Sequence, residues 1–211
     1  MVNIVRRNGY GLAKEKLKYW MVFSVILSVI CASYSFALTA DHEDPWLLWA
    51  RYTARLSFLM FLVSYIAGPL SAVSVQRFPI FLRHNRRNIG LSFAFLHIVH
   101  LAALIIYLMK IGERPQNSTL ILGGGAYVAM LLMVLTSNDN MIRKLGAKSW
   151  SRLHRFGTHY IALIFAVTYA TGVVSNDGAL INVTRLFLVL LLCVVIVLRI
   201  YVLTMERRAH V

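Results

Sequence analysis

Six long apolar runs constrain this chain more than any other feature of its sequence. Each is close to the roughly 20 apolar residues that a helix needs to cross a lipid bilayer. Lipid offers no hydrogen bonds to the backbone, so a chain with several such runs spans the membrane as helices. We therefore predict an all-α fold, a six-helix transmembrane bundle. The predicted helices are Tyr19–Leu38, Leu56–Val75, Ile89–Met109, Leu120–Thr136, His154–Val174 and Leu180–Leu203.

Composition supports a membrane protein and argues against a nucleic-acid-binding protein. Of the 211 residues, 59% are hydrophobic, whereas a soluble domain of this length is usually less than half apolar. Only 14% of the residues are charged, yet the net charge is +14. In a soluble protein that excess would suggest nucleic acid, but here the cations lie between apolar runs. We expect one domain over residues 1–211 and no nucleic-acid partner.

The distribution of Lys and Arg predicts the orientation of the chain. Five lie in the N-terminal segment, four between the second and third predicted helices, five between the fourth and fifth, and three at the C-terminal end. Those seventeen of the 22 cations fall on one side, which the positive-inside rule makes cytoplasmic. Both termini are thus predicted to be cytoplasmic. The first helix is expected to be retained, because its apolar run and basic leader are long for a cleaved signal peptide.

The fifth predicted helix is the least apolar of the six. Its purely apolar part, Ile161–Val174, is too short to span a bilayer alone. It can span only if it begins near Trp150, which brings His154, Arg155 and His159 into or near the membrane. Ionisable residues within a membrane span are functional candidates by default.

The third predicted helix carries two more histidines inside its apolar run. His97 and His100 are three residues apart and share one face of a helix. They lie roughly 12 and 16 Å beyond the start of the helix, and His159 lies roughly 10 Å into the fifth. Imidazoles at similar depth on two helices suit a haem held from both sides, because histidine is a common axial ligand of haem iron. We expect the other histidines to be solvated: His42, His84 and His210.

The four intramembrane histidines allow three alternatives to haem on the sequence alone. An intramembrane histidine often forms an interhelical hydrogen bond. A zinc site would want further ligands, but no carboxylate or thiolate joins the four, and a proton relay would prefer an acidic residue in the spans. Haem is the best single interpretation, and its propionates would need cationic partners. Arg55 and Arg155 are candidates for that role, unless they serve membrane topology alone.

Two smaller features have ordinary structural interpretations. The cysteines Cys31 and Cys193 lie in apolar runs without metal-type spacing, so we expect packed side chains. The triplet Gly123–Gly125 has no strand before it and is not a phosphate-binding loop. Small residues of this kind let helices approach closely in membranes, and we predict that role here.

Several short motifs follow one another from the second to the fifth predicted helix. They are "TAR" at Thr53–Arg55, "GPL" at Gly68–Leu70, "RRNIGL" at Arg86–Leu91, His100, "TSNDNMIRKLG" at Thr136–Gly146 and "WSRLH" at Trp150–His154. The "TSNDNMIRKLG" and "WSRLH" elements are the most specific. Together these motifs resemble those of the ferric-reductase-like transmembrane domain family, the haem-carrying core shared by ferric reductases and NADPH oxidases. Within that family the chain is most similar to the membrane haem-binding subunits of bacterial periplasmic methionine sulfoxide reductase systems.

The resemblance implies that His100 and His154 ligate b-type haem. Family members usually have a second histidine about thirteen residues after the first one of the fifth helix, where this chain has Val167. His97 and His159 are present instead. His154 and His159 are about 140° apart on a helix and cannot both point into one site. The sequence therefore predicts one haem between the third and fifth helices, leaves its ligand pair open, and makes a second haem doubtful.

The resemblance also implies a role in electron transfer across a bacterial inner membrane. Electrons would come from a cytoplasmic flavin reductase, with FMN or FAD as a transient cofactor, or from a quinol. They would pass through haem b to an acceptor on the outer face, such as a periplasmic oxidoreductase subunit. The chain would then be one component of an oxidoreductase system, with membrane lipid against its basic "RFPIFLRHNRR" segment. The alternative is a haem-free helical membrane protein, either a small transporter or an assembly factor.

Overall fold

The structure is a computed structural model that describes residues 2–37, 43–173 and 179–208, with side chains over 17–37, 43–173 and 181–205. Within these ranges the regular structure is entirely helical, as predicted. The predicted helix ends Leu38 and Val174, and also His42 and His210, lie outside the described residues. The helices are α1 (Val2–Ala37), α2 (Pro45–Val73), α3 (Arg77–Ile111), α4 (Asn117–Leu135), α5 (Asp139–Leu145), α6 (Ala147–Val173) and α7 (Ala179–Arg208).

Six of these helices are long and apolar enough to cross a membrane, which confirms the predicted number of spans. Many large apolar side chains on them are exposed, as expected for surfaces that face lipid. The chain is thus a multi-pass membrane protein, while the cytoplasmic location of its termini stays a prediction. The candidate spans are Leu17–Ala37, Pro45–Val73, Arg77–Ile111, Asn117–Thr136, Ala147–Val173 and Ile181–Met205.

Three helices begin well before the predicted positions, and the first of them, α1, begins at Val2 rather than Tyr19. α2 begins at Pro45 rather than Leu56, and α3 begins at Arg77 rather than Ile89. The hydropathy pattern detects only the apolar part of a helix, and arginines interrupt that pattern without ending the helix. In contrast, α6 begins at Ala147, just before Trp150, where the sequence required the fifth span to begin.

The short helix α5 was missed by the hydropathy pattern, although its sequence carries the usual end signals. Asn138 caps it by accepting a hydrogen bond from the Met141 backbone N–H at 2.8 Å. Asp139 lies in the first turn and two cations lie in the last, which complements the helix dipole. Gly146 follows with a φ of 77°, a conformation that favours glycine.

The chain divides into two compact units that share α2 and α3. The first contains Met1–Ser64 and His84–Arg114, and the second contains Tyr65–Arg83 and Pro115–Val211. In the second unit α6 packs against α4, α5 and α7. His97 and His100 belong to the first unit, and His154 and His159 belong to the second.

Buried serines make close helix packing possible in the first unit. Ser24 and Ser92 are fully buried, and both hydroxyls donate to the Trp20 carbonyl oxygen, at 2.8 and 3.2 Å. Side chains of this size let backbones approach, and the carbonyl satisfies their polar atoms without water. Ser92 of α3 thus contacts the backbone of α1 through its hydroxyl.

Close packing in the second unit includes Gly125, one of the three consecutive glycines of α4. The Tyr160 hydroxyl donates to the Leu122 carbonyl oxygen at 3.0 Å. A Cβ atom on Gly125 would lie 2.7 Å from that hydroxyl, whereas one on Gly123 or Gly124 would meet nothing within 4 Å. The predicted role in helix approach therefore belongs to Gly125.

Asp44 fixes the N-terminal end of α2 by two contacts. Its carboxylate accepts a hydrogen bond from the Trp46 N–H at 2.9 Å, the usual N-cap bond, with Pro45 in the first helical position. It also forms an ion pair with Lys110 near the end of α3. The hydrogen bond from Lys110 holds the pKa of the Asp44 carboxyl below its ordinary value, with the helix N–H groups adding to the shift.

We expect Asp44→Asn to lower stability at neutral pH and to have no effect in strong acid. A lowered folded pKa stabilises the protein above the unfolded value of 3.8, and this contribution is lost as the pH falls through the lowered value. Asparagine still caps a helix, so the variant isolates the charge, worth less than about 1 kcal/mol at an exposed site. Thermal melts between pH 3 and 7 measure the difference in stability between Asp44→Asn and the wild type. A difference as large at pH 3 as at pH 7 would contradict the ion-pair explanation.

Candidate functional site: four intramembrane histidines

His100 is held by the backbone of α2. Its Nδ1 lies 2.9 Å from the Ala50 carbonyl oxygen. A carbonyl oxygen can only accept, so Nδ1 carries the proton of the neutral ring and Nε2 carries the lone pair. This contact fixes the tautomer and the orientation of an imidazole whose Nε2 is able to bind a metal.

His97 is oriented in the same way, but by a hydroxyl group instead of a backbone carbonyl. Its Nδ1 lies 3.0 Å from Ser57 Oγ, and the Ser57 hydroxyl donates its single proton to the Ala54 carbonyl oxygen at 2.8 Å. Ser57 Oγ therefore accepts from Nδ1–H, and the lone pair again lies on Nε2. The His97 and His100 rings are neighbours, with centroids 5.3 Å apart.

Small residues on α2 create the space for these two rings. Ala50, Thr53 and Ser57 are each 1% exposed or less, and their spacing places them on one face of the helix. The Thr53 hydroxyl donates to the Trp49 carbonyl oxygen at 2.7 Å, so it needs no partner on α3. Larger side chains on this face would displace the imidazoles from the α2 acceptors.

His154 is part of a different arrangement at the junction of α4, α5 and α6. Its Nε2 lies 3.1 Å from Thr136 Oγ1, whose proton goes to the Leu132 carbonyl oxygen at 2.7 Å. Here Nε2 must therefore donate. Trp150 completes the cluster, since its ring centroid lies 4.2 Å from that of His154 and its Nε1–H donates to the Thr136 carbonyl oxygen at 2.9 Å.

This cluster explains why the "TSNDNMIRKLG" and "WSRLH" motifs occur together. Their residues Thr136, Trp150 and His154 close the turn that contains α5, and they satisfy the carbonyl at the end of α4. Binding a metal through His154 Nε2 would require the hydrogen bond to Thr136 to be given up. His154 thus has a structural partner for the atom that iron ligation would use.

His159 lies five residues further along α6 and bonds to Tyr65. The Tyr65 hydroxyl and His159 Nδ1 are 2.9 Å apart, and the two rings meet edge to face. Tyr65 also contacts Arg199 of α7, which donates from Nη1 to the Tyr65 carbonyl oxygen at 2.7 Å. As in His97 and His100, the hydrogen bond uses Nδ1 rather than Nε2.

The remaining predicted residues lie apart from these contacts. The Arg55 guanidinium lies 5.8 Å from the centroid of the Tyr52 ring. Arg155 is exposed, one turn before His159, and His84 is exposed on α3. Val167, at the position where the resemblance implied a second histidine, is exposed on α6. Among the described residues, no group of three or more His, Cys, Asp or Glu is placed to hold a metal ion.

The chemistry of this donor set fits haem. Axial imidazoles bind iron through one ring nitrogen while the other donates to a carbonyl, carboxylate or hydroxyl, which orients the ring and raises its basicity. His100 and His97 meet both conditions within the first unit. The sequence could not reveal this, because the acceptors come from residues 50 and 40 positions away in the chain.

Comparison with known families decides the class of the protein. Residues 52–167, more than half of the chain, match the family model of the ferric reductase like transmembrane component. The chain belongs to the ferric-reductase-like transmembrane family. The matched range contains all four intramembrane histidines. The family expected from the sequence motifs is thereby confirmed.

Individual relatives agree with that assignment. The chain is 30% identical over 150 residues to the protein-methionine-sulfoxide reductase heme-binding subunit MsrQ of Pectobacterium atrosepticum, covering 67% of this chain and 73% of the relative. The MsrQ of Pectobacterium carotovorum is 30% identical over 126 residues, covering 56% and 61%. The magnetosome protein MamZ of Magnetospirillum gryphiswaldense is 25% identical over 134 residues, covering 61% of this chain and 20% of MamZ.

The chain covers only part of the length of these relatives. It spans about a fifth of the length of MamZ and less than two thirds of one MsrQ. The two MsrQ proteins are named as haem-binding subunits.

Proposed function

We propose that this protein is a haem b-containing electron-transfer subunit of a bacterial inner membrane. The observation that carries the proposal is the hydrogen bond between His100 Nδ1 and the Ala50 carbonyl oxygen. It fixes a neutral imidazole inside a membrane span with its lone pair on Nε2, at the histidine that matches the family pattern. Haem, when bound, supplies a one-electron redox couple within the bilayer.

The chain's own residues orient the histidine ligands and raise their basicity. The Ala50 carbonyl and the Ser57 hydroxyl hold the imidazoles of His100 and His97, and each acceptor makes its imidazole a stronger donor through Nε2. Burial in a low-dielectric span keeps water away and helps to set the potential. His100 is the ligand that these contacts support best, and His97 is the nearest substitute.

On α6 the contacts favour His159 over His154 as a ligand. His159 uses Nδ1 for its bond to Tyr65, whereas His154 commits Nε2 to Thr136. The family pattern favours His154 instead, so the two proposals differ in a way that single variants can test. Whether α3 and α6 share one haem, as predicted from the sequence, follows from the number of haems per chain.

The proposed donor is a cytoplasmic flavin reductase or a quinol, and the proposed acceptor is a periplasmic oxidoreductase subunit. The similarity to MsrQ, a subunit of a protein-methionine-sulfoxide reductase by name, supports an acceptor of that kind. Adding a flavin reductase with NADH, or a quinol, to the oxidised protein distinguishes the two donors. The true donor reduces the protein at catalytic concentrations, and the other does not.

The test of the proposal is the reduced-minus-oxidised visible spectrum of the full-length protein purified in detergent. We expect a b-type spectrum, with one or two haems per chain by pyridine haemochrome analysis. His84→Ala is the matched control, because His84 is an exposed histidine on the same helix as His97 and His100. A folded but colourless protein that takes up no added haem would overturn the proposal.

A second candidate is a haem-free membrane protein, such as a small transporter or an assembly factor. One observation favours it: each of the four histidines bonds to a residue outside its own helix, namely Ala50, Ser57, Thr136 and Tyr65. Interhelical bonds of this kind stabilise helix packing by about 0.6 kcal/mol on average. In that case each His→Ala variant lowers thermal stability and none changes a visible spectrum.

A further inference from the structure

Two cationic or titratable side chains, Arg199 and His159, contact Tyr65 in the second unit. Arg199 donates to the Tyr65 carbonyl oxygen at 2.7 Å, and its guanidinium carbon lies 4.1 Å from the centroid of the Tyr65 ring. The Tyr65 hydroxyl bonds to His159 Nδ1 at 2.9 Å. Arg155 lies one turn before His159 on the same helix and is exposed.

The Arg199 guanidinium is held at a depth where charge is costly. Arg199 lies six residues before Met205, the end of its membrane span, which is about 9 Å along the helix. Its partner Tyr65 lies eight residues before Val73, the end of α2, or about 12 Å. Both contacts thus lie within the candidate spans, where a charge without compensation is costly.

The described residues supply no counter-charge for Arg199. Both ion pairs described lie in the first unit, Arg51–Glu43 and Lys110–Asp44. Asp139 on α5 is the only acidic side chain of the second unit that the structure describes. A carbonyl oxygen and an aromatic face stabilise a guanidinium, but they leave its positive charge in place.

We propose that Arg199 binds a carboxylate of the bound cofactor, which on the function proposed above is a haem propionate. A guanidinium has five N–H donors in a planar fork that matches a carboxylate in two-point contact. The Tyr65 carbonyl takes one of these donors. The depth of Arg199 favours a carboxylate inside the membrane over a lipid phosphate at its surface.

The test compares two porphyrins that differ only in their carboxylates. Full-length protein prepared without haem is titrated with haem and with haem dimethyl ester, whose propionates are blocked, in a detergent with a neutral head group. We expect Arg199→Gln to weaken haem binding about tenfold or more, the loss of a charge-assisted hydrogen bond. The dimethyl ester should bind equally to the wild type and the variant.

Two further variants separate charge from structure. Arg199→Lys keeps the charge and should recover part of the affinity. Arg185→Gln is the matched control: Arg185 lies on the same helix and donates to the Gly172 carbonyl oxygen at 2.6 Å, and its loss should leave haem affinity unchanged. Equal weakening of haem and dimethyl ester in Arg199→Gln would overturn the proposal, because the effect would then be structural.

The remaining outcomes also discriminate. If Arg199→Gln binds haem as tightly as the wild type, Arg199 holds no propionate. If that variant instead loses phosphatidylglycerol that the wild type retains in native mass spectrometry, the anion is a lipid phosphate and the carboxylate assignment is wrong. If the wild type binds neither porphyrin, the haem function itself fails, and with it the propionate site.

Discussion

His100→Ala should remove most of the haem b from the purified protein. The substitution deletes the imidazole whose Nδ1–H is fixed by the Ala50 carbonyl at 2.9 Å. Loss of an orienting partner alone typically costs about 10–100-fold in metal affinity, so loss of the ligand itself should cost at least as much. Haem per chain by pyridine haemochrome analysis measures the effect. His84→Ala should retain wild-type haem content.

Two companion variants decide whether His100 or His97 is the ligand on α3. Ser57→Ala removes the acceptor of His97 Nδ1–H and should leave haem content high if His100 is the ligand. His97→Ala should behave in the same way. Retention of haem in His100→Ala together with its loss in His97→Ala would assign the ligand to His97. Retention in both would remove α3 from the coordination of iron.

The number of spans was predictable because crossing a bilayer needs an apolar run of nearly fixed length. The starts of α1, α2 and α3 were not, because hydropathy reports where a helix meets lipid rather than where it begins. Arg51 and Arg55 end the apolar pattern inside α2, yet the helix extends back to Pro45. For α5 the signals were present in the cap Asn138 and in Gly146, but a seven-residue helix has no apolar run to reveal it.

The candidate histidines were predictable for the same reason, whereas their partners were not. An imidazole inside an apolar run is easily recognised, because placing it in a membrane span costs free energy. His97 and His100 could therefore be identified from the sequence alone. Ala50 and Ser57 carry no such signal, because small residues on a helix face are common. Arg199 was assigned only to membrane topology by the Lys and Arg count, and its contact with Tyr65 depends on packing between distant segments.

The second large effect is expected in the glycine triplet of α4, where Gly125→Ala should destabilise the protein and Gly124→Ala should not. A Cβ on residue 125 would lie 2.7 Å from the Tyr160 hydroxyl and 3.3 Å from its ring, but one on residue 124 meets nothing within 4 Å. The Tyr160 ring must then move and give up its bond to the Leu122 carbonyl. Overpacking of this kind costs about 1–3 kcal/mol, with up to about 1.7 kcal/mol more for a lost interhelical hydrogen bond.

Gly124→Ala is a strict control because it makes the same chemical change one residue away. Alanine favours a helix over glycine by about 1 kcal/mol, so this variant should be neutral or more stable than the wild type. The two variants should therefore shift the midpoint of thermal unfolding in detergent in opposite directions. Tyr160→Phe removes the hydroxyl that Gly125→Ala would clash with, so in that background the cost of the alanine should fall. Equal shifts in Gly124→Ala and Gly125→Ala would show that α4 and α6 do not approach at Gly125.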